Sequence, residues 1–305
     1  MHVLGKVSVC DVGPRDGLQN ERRVLEPSVR AELCDRLAAA GLRRVEAVSF
    51  VRDDRVPAMA GAEAVLRSID RTSDVRWAAL VLNARGYRRA LDAGVDEIRY
   101  GLPVTDAFAE RNQSTCVSAA LDLALRLVES ARRDGLRCTI SLAVSFGCPF
   151  EGRVPPESVL AIAEKVLAAG PDELVLADSI GTGVPRQVRR LVGALASPGR
   201  VIGCHFHNTR NTGYANALAA VEAGATVLDA SLGGLGGCPF APGATGNIAT
   251  EDLVYLLEGM GYDTGIDLDQ LRMCSLWLAE QVGHELPGLV ARAGDPCGIA
   301  SPSGR

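Results

Sequence analysis

Short apolar runs alternate with segments of helical periodicity along the chain. The helical segments are rich in Ala, Leu and Arg, and they cover residues 28–40, 58–69, 84–93, 114–134, 156–169, 185–196, 212–223 and 250–259. The apolar runs have the length and composition of β-strands. They begin near Val7, Val45, Trp77, Glu97, Cys138, Leu174, Val201 and Val227. Four helical segments end in AAG, DAG or EAG, which is typical of a helix C-terminus.

Eight successive strand–helix units without a long linker predict a single closed (β/α)8 TIM barrel. We assign residues 1–266 to a catalytic barrel and 267–305 to a C-terminal helical extension packed on it. The extension contains one more helical stretch, LRMCSLWLAEQV. It could cover the bottom of the barrel, form a dimer contact, or do neither.

Charge and composition exclude several classes of protein. The net charge is −5 and the basic residues are scattered, which argues against nucleic-acid and membrane-surface partners. No window approaches the roughly 18 apolar residues of a membrane span. The nine cysteines form no Cys-x-x-Cys pair and the N-terminus lacks the pattern of a signal peptide, so we expect a reduced, cytoplasmic protein.

Polar residues at strand ends are the candidate site residues, because the active site of such a barrel lies at the C-terminal ends of its strands. The first strand ends in DVGPRDG at 11–17, which is either a simple turn or part of a site. Glu46 lies inside an apolar run, where a carboxylate is costly unless it meets a cation or a donor. Asp178 ends the sixth strand, a position where a helix cap is common.

The strongest local motif is Cys204-His205-Phe206-His207-Asn208 on the seventh strand. The i, i+2 spacing places both imidazoles on one face of the strand and Phe206 on the other. Two neighbouring imidazoles repel when protonated and need partners when neutral, so this motif favours metal ligation over a core role.

A glycine-rich segment, GGLGGCPFAPGATGN at 233–247, follows the eighth strand. This position favours a mobile lid, with a flexible structural loop as the alternative. A thiol in such a loop favours a chemical role for Cys238. Asn247 precedes a predicted helix, where it is either the N-cap or a ligand.

Several of these strings together resemble the 3-hydroxy-3-methylglutaryl-CoA lyase family. The resemblance runs from about residue 7 to about residue 290 without large gaps. It is carried by VGPRDGLQNE, VEAVSF, FGCPFEG, ADSIGTGVP, the His-x-His strand and GGLGGCPFAPGATGNIATEDLVYLLEGMG. The glycine segment with its cysteine is the most specific of these strings, since the Arg-Asp pair and His-x-His strand are shared with other metal-dependent barrel enzymes.

The resemblance implies a divalent cation, Mg²⁺ or Mn²⁺, with four protein ligands. These are Asp16, His205, His207 and Asn247. It also implies that Arg15 faces the thioester carbonyl oxygen and that Cys238 is catalytic, while Glu46 and Asp178 match acidic residues of the family's site. A homodimer is what the family suggests.

The reaction implied by the resemblance is a retro-Claisen cleavage of 3-hydroxy-3-methylglutaryl-CoA to acetoacetate and acetyl-CoA. Cys238 would return a proton to the enolate carbon. The hydroxyl proton would go to His205, but a metal-bound nitrogen cannot accept it, so Asp178 or Glu46 would relay it. The alternatives are a sister lyase for another 3-hydroxyacyl-CoA such as citramalyl-CoA, or a Claisen-type synthase. The glycine segment favours cleavage.

The chain departs from the family pattern at residues that bear on the acyl-CoA substrate. Asn208 stands where an acidic residue is usual, which would weaken carboxylate support of a ligating histidine. Arg22 stands where a lysine is common, and Arg210 is an added cation that could recognise a different acyl carboxylate. We take Gln19, Arg22 and Arg210 as candidate substrate-binding residues.

Overall fold

The computed structural model describes residues 4–72, 74–237 and 246–293. Eight parallel strands close into a barrel in which each strand pairs with its neighbours in the sequence. The barrel strands are β2 Ser8–Asp11, β3 Arg44–Ser49, β4 Arg76–Leu80, β5 Glu97–Pro103, β6 Arg137–Ala143, β7 Glu173–Asp178, β8 Ile202–Phe206 and β9 Val227–Ala230. The predicted (β/α)8 barrel is confirmed.

Helices surround the barrel and bury its outer face. They are α1 Pro27–Ala39, α2 Ala62–Ser68, α3 Ala84–Asp92, α4 Asp106–Gln113, α5 Val117–Asp134, α6 Pro156–Ala169, α7 Pro185–Leu195, α8 Gly213–Glu222, α9 Thr250–Gly259, α10 Leu268–Val282 and α11 Val290–Ala293. Every residue of β3, β7 and β9 is buried, as expected for parallel strands covered on both sides. None of the described helices combines the length and apolarity that crossing a bilayer requires.

Two predicted helix boundaries are wrong, in both cases at a residue with positive φ. Ser114, with φ 52°, ends the separate helix α4, which the sequence did not predict, and α5 begins only at Val117. Gly61, with φ 74°, precedes α2, so the residues before it do not continue that helix. Hydrophobic periodicity does not detect a single left-handed residue, and such residues interrupt helices.

The C-terminal part of the described chain reaches both ends of the barrel. Strands β1 Gly5–Lys6 and β10 Tyr262–Asp263 form a small parallel pair next to the start of β2. Helix α10 then packs against α1 and α9. Gly288 N–H donates to Gly233 O (2.8 Å), which lies beyond the C-terminal end of β9. The domain boundary at residue 267 stays a prediction, and residues 294–305 lie outside the described ranges.

The barrel interior contains buried ionic groups as well as apolar side chains. Near the N-terminal ends of four strands, Arg44 of β3 donates to Glu97 of β5, Glu173 of β7 and the hydroxyl of Thr139 of β6. We call these four residues the lower cluster. A buried ion pair is tolerated only when its hydrogen bonds offset the loss of hydration, and the three acceptors around Arg44 meet that requirement.

Candidate metal and active site

The segment after β2 forms a single π-helical turn over Gly13–Gly17. Asp11 Oδ1 accepts the Gly13 N–H (2.7 Å), and the Asp16 N–H donates to Val12 O (2.7 Å). A Cβ at Gly17 would lie 2.7 Å from Ser231 Oγ, so a side chain there would force a shift. The turn therefore brings Arg15 and Asp16 to the C-terminal mouth of the barrel, where active sites of this fold lie.

Arg15 is the cation that the buried Glu46 requires. Its Nε and Nη2 donate to the two oxygens of Glu46 (2.9 and 3.0 Å), while Nη1 donates to Asp16 Oδ1 (2.7 Å). Burial alone would lower the pKa of Arg15, but the charges of Glu46 and Asp16 outweigh that effect and raise it. The guanidinium is therefore charged and fixed in a bidentate geometry.

His205 and His207 lie on one face, as their spacing predicts, with ring centroids 5.2 Å apart. Phe206 packs against Phe146 instead. Nitrogens of the two rings and an oxygen of Asp16 lie within 4.8 Å of one another. Burial and the neighbouring His205 lower the pKa of His207 to about 4, so the neutral imidazole that a metal requires is the stable form at neutral pH.

Two buried atoms at this position lack partners among the described residues. They are His207 Nδ1 and Asn247 Oδ1. The Asn247 amide is oriented by its Nδ2, which donates to Asp16 Oδ2 (2.8 Å) and Leu235 O (2.9 Å). Buried polar atoms are nearly always paired, so this carbonyl oxygen and ring nitrogen are the atoms here that a bound cation would pair. The carboxylate, amide and imidazole donors fit a divalent cation.

The alternative role of Asn247 as a helix cap is wrong. Helix α9 begins at Thr250 and its N-cap is Ala249. Asn247 instead forms an isolated bridge with His207. The cap interpretation placed the helix start too early, and the bridge brings the amide beside the histidines.

Asp178 is fully buried at the end of β7, and both its oxygens are occupied. They accept the N–H groups of Thr182 (2.9 Å) and Gly183 (2.8 Å). Burial raises the pKa of Asp178, although these two hydrogen bonds oppose the shift. The carboxylate therefore shapes the loop that follows β7.

The candidate substrate-binding residues lie around the mouth of the barrel. Gln19 is half-buried after the π-helical turn, and Arg22 is exposed. Arg22 and Arg23 line an open cavity of about 520 Å³ beside His284. The exposed Arg210 donates from Nη1 to the carbonyls of Ile180 and Gly181, both at 3.0 Å, so it holds the loop after β7.

Asn208 does not occupy the position of a supporting carboxylate for a ligating histidine. Its Oδ1 accepts the Gly213 N–H (3.1 Å) at the start of α8. The carboxylate next to His205 is instead Asp229 of β9, whose Oδ2 lies 3.4 Å from His205 Nδ1. The expectation that the Asn208 departure weakens this support is therefore wrong.

The predicted catalytic thiol, Cys238, lies outside the described residues. The described flanks of its segment are anchored beside the site. Asn20 Nδ2 donates to Gly237 O (2.8 Å), and the Asn208 N–H donates to Gly246 O (2.9 Å). Both ends of the glycine segment therefore attach to loops that carry site residues.

Two site residues were not predicted from the sequence, Asp229 and Arg99. Arg99 of β5 donates from Nη2 to Asp229 Oδ2 (2.6 Å) inside the barrel. Both are charged residues inside apolar strand runs, VLDASL and EIRYGL. The cost of burying a charge, which singled out Glu46, would have identified them too.

The chain is similar to known CoA lyases. The family model described as HMGL-like matches residues 6–276. A (R)-citramalyl-CoA lyase of Chloroflexus aurantiacus is 47% identical over 94% of this chain and 95% of its own length. A hydroxymethylglutaryl-CoA lyase of Bacillus subtilis is 39% identical over 92% of this chain and 95% of its own length.

A solved structure has the same fold and carries ligands. It is an HMG-CoA lyase from Acinetobacter baumannii in complex with coenzyme A and 3-methylmalate. It superposes with a TM-score of 0.91 at 37% identity, covering 97% of both chains.

Proposed function

Because the chain belongs to the HMGL-like family of carbon–carbon lyases, we propose that it is a divalent-metal-dependent lyase that cleaves a tertiary 3-hydroxyacyl-CoA. The observation that carries the proposal is the convergence of Asp16, His205 and His207 beside the fixed guanidinium of Arg15. A metal site next to a cation that can face a developing oxyanion is what a retro-Claisen cleavage requires.

We place citramalyl-CoA first as the substrate, and 3-hydroxy-3-methylglutaryl-CoA second. The citramalyl-CoA lyase is 47% identical to this chain, whereas the hydroxymethylglutaryl-CoA lyase of Bacillus subtilis is 39% identical. The 3-methylmalate bound by the Acinetobacter enzyme also supports a malate-type hydroxy acid in such a site. Cleavage of citramalyl-CoA yields pyruvate and acetyl-CoA, and cleavage of the second candidate yields acetoacetate and acetyl-CoA.

The ligands that we assign to the cation are Asp16, His205, His207 and Asn247. Mn²⁺ tolerates two imidazole nitrogens better than Mg²⁺ does, so we expect Mn²⁺ to bind more tightly and both ions to support activity. When bound, the cation lowers the pKa of the substrate hydroxyl and orients the substrate.

The protein's own groups stabilise and move charge around the substrate. Arg15, held by Glu46, donates to the thioester oxygen on which negative charge develops as the carbon–carbon bond breaks. Cys238 then returns a proton to the enolate carbon. The proposed roles of these residues rest on the geometry around Arg15 and on the family resemblance.

Asp178 is the first candidate acceptor of the hydroxyl proton, because His205 is assigned to the cation and a metal-bound nitrogen cannot accept that proton. Glu46 is a weaker candidate, because both its oxygens already accept hydrogen bonds from Arg15. Both oxygens of Asp178 also accept hydrogen bonds, but from neutral backbone N–H groups and not from a guanidinium, and burial raises its pKa, which makes it the more basic carboxylate. Asp178→Asn preserves the size of the side chain, and it lowers kcat at all pH values if Asp178 is the acceptor.

We assign the CoA portion of the substrate to the mouth near Arg22. Its guanidinium lies on the cavity of about 520 Å³ and offers a local positive charge to phosphate groups. Gln19 and Arg210 are the proposed contacts nearer to the acyl group. The homodimer and the cytoplasmic location stay predictions.

The decisive experiment is a cleavage assay of the purified protein with Mn²⁺ or Mg²⁺ on the two acyl-CoA substrates. We expect acetyl-CoA release from both, a higher kcat/KM for citramalyl-CoA, and loss of turnover in EDTA that Mn²⁺ restores. A higher kcat/KM for 3-hydroxy-3-methylglutaryl-CoA would overturn the substrate order, and cleavage of neither would overturn the proposed lyase. Cys238→Ala should lower kcat strongly without changing the melting temperature.

A further inference from the structure

Arg99 spans the barrel interior and contacts two carboxylates on different strands. Its side chain is 3% exposed. Besides Asp229 Oδ2 at 2.6 Å, its Nη1 lies 3.7 Å from Glu46 Oε2 and donates to Cys10 Sγ (3.1 Å). The guanidinium therefore connects β5 with β2, β3 and β9.

Each of these two carboxylates holds one group of the candidate site. Glu46 binds Arg15 in a bidentate pair, and Asp229 lies 3.4 Å from His205 Nδ1. A carboxylate on the remote nitrogen of a ligating histidine fixes the ring's orientation and tautomer. Arg99 thus lies behind both the proposed oxyanion donor and a proposed metal ligand.

We propose that Arg99 is a positioning residue that sets Arg15 and His205 relative to each other through Glu46 and Asp229. The proposal rests on the proposed function in one respect, the roles of Arg15 and His205. A planar guanidinium has several donors in a rigid arrangement and can serve two carboxylates at once, whereas an ammonium acts as a point charge. The Arg99 contact with Asp229 Oδ2 is shorter than the His205 contact with the same oxygen (2.6 against 3.4 Å), and Asp229 Oδ1 has no described hydrogen-bond partner.

The lower cluster offers a matched control inside the same barrel. Arg44 is also an arginine on a barrel strand, 4% exposed, and it also joins two carboxylates, Glu97 and Glu173. Neither carboxylate has a described hydrogen bond or ion pair with a candidate metal ligand. If both buried arginines were merely structural, replacing either one would have the same effect on Mn²⁺ binding.

The test compares Arg99→Lys with Arg44→Lys in the full chain, using Mn²⁺ alone as the probe. Mn²⁺ affinity is measured by the electron paramagnetic resonance signal of the free ion, and folding by thermal denaturation of the metal-free protein. We expect Arg99→Lys to weaken Mn²⁺ binding by about 10 to 100-fold. We expect Arg44→Lys to lower the melting temperature about as much as Arg99→Lys does. Its Mn²⁺ dissociation constant should stay within about threefold of that of the unmodified protein.

Kinetics provide a second readout. Arg99→Lys should lower kcat at saturating Mn²⁺ more than it raises KM, because misplacing Arg15 removes an interaction that strengthens in the transition state. Asp229→Asn is nearly isosteric. It tests the contact between Asp229 and His205 if Arg99→Lys does not fold. It should weaken Mn²⁺ binding in the same way.

Two results would overturn the proposal. One is Mn²⁺ affinity and kcat of Arg99→Lys equal to those of the unmodified protein. The other is an equal loss of Mn²⁺ affinity in Arg44→Lys, which would make both arginines merely structural. Since the Mn²⁺ titration requires no turnover, its outcome is separate from the success or failure of the proposed lyase reaction.

Discussion

Two clusters inside the barrel both pair buried arginines with carboxylates, but they have different roles. In the lower cluster Arg44 is enclosed by Glu97, Glu173 and Thr139, and all four residues are buried. The upper cluster consists of Arg15, Glu46, Arg99 and Asp229. It touches the partly exposed side chains of Asp16 and His205 at the mouth.

The difference shows that a buried ion pair does not by itself indicate a functional site. Both clusters compensate the cost of desolvating charge with charge-assisted hydrogen bonds. Glu173 Oε1 in the lower cluster also lacks a described partner, but among the described residues only the upper cluster adjoins a group of potential metal ligands with such atoms, His207 Nδ1 and the neighbouring Asn247 Oδ1. The site lies where the paired charges meet such atoms, and the lower cluster supports the strands beneath it.

We expect the largest effect from a substitution that breaks the lower cluster. Glu97→Gln leaves Arg44 short of one carboxylate in a site without water access, which should cost about 3–5 kcal/mol of stability. The melting temperature should fall by about 10 °C, while kcat of the folded fraction is unchanged. Glu164→Gln, in an exposed pair with Arg200, should cost less than about 1 kcal/mol. A normal melting temperature with reduced kcat in Glu97→Gln would reverse the roles of the two clusters.

We expect the next largest effect from a substitution in the upper cluster, at the candidate site. Arg15→Gln should lower kcat by about 10² to 10³-fold, since one fixed donor to a developing oxyanion is lost. The melting temperature should fall less than in Glu97→Gln, because Glu46 retains its contact with Arg99. Steady-state kinetics and thermal denaturation measure both effects, with Arg52→Gln as a surface control. Turnover above a tenth of the original rate would remove Arg15 from the reaction.

Glu251 is a buried carboxylate that forms no ion pair with an arginine in the described part of the chain, so it provides a contrast to both clusters. Glu251 accepts hydrogen bonds from the Gly233 N–H (2.9 Å) and Ser275 Oγ (2.8 Å), and burial raises its pKa from 4.5 to about 7. Between these two values the folded state binds the extra proton, so rising pH removes stability, by about 3 kcal/mol in total.

Glu251→Gln imitates the protonated form and should remove this part of the pH dependence. Urea unfolding at pH 5 and pH 8 measures it in both proteins, with the exposed Glu285→Gln as the control. If the free energy of unfolding declines equally from pH 5 to pH 8 in the unmodified protein and in Glu251→Gln, Glu251 is ionised in the folded state.

The smallest effect concerns an arginine outside both clusters. Arg210 is exposed and donates to the carbonyls of Ile180 and Gly181. If it also contacts the acyl carboxylate, Arg210→Gln should raise KM by about fivefold and leave kcat nearly unchanged, because such binding is equal in the ground and transition states. Equal KM values in steady-state assays on citramalyl-CoA would exclude the contact.

Local patterns predict the barrel and much of the candidate site. Alternation of strands and helices specifies the (β/α)8 order, because each unit must bury an apolar face against the next. The i, i+2 spacing places His205 and His207 on one side of β8 whatever surrounds it. The turn after β2 likewise contains Arg15 and Asp16 side by side in sequence.

Contacts between distant strands required the tertiary structure. The carboxylate beside His205 belongs to β9, and Arg99 approaches it from β5 across the barrel. No periodicity encodes such pairs, since they depend on strand register and on which charges can be desolvated together. The same holds for Asn247, whose amide is oriented by Asp16 and Leu235 and not by the helix that follows it. The sequence by itself thus specifies the strands, the helices and the candidate ligand residues. Closure of the barrel decides which buried charges pair with one another and which atoms are left to bind a cation.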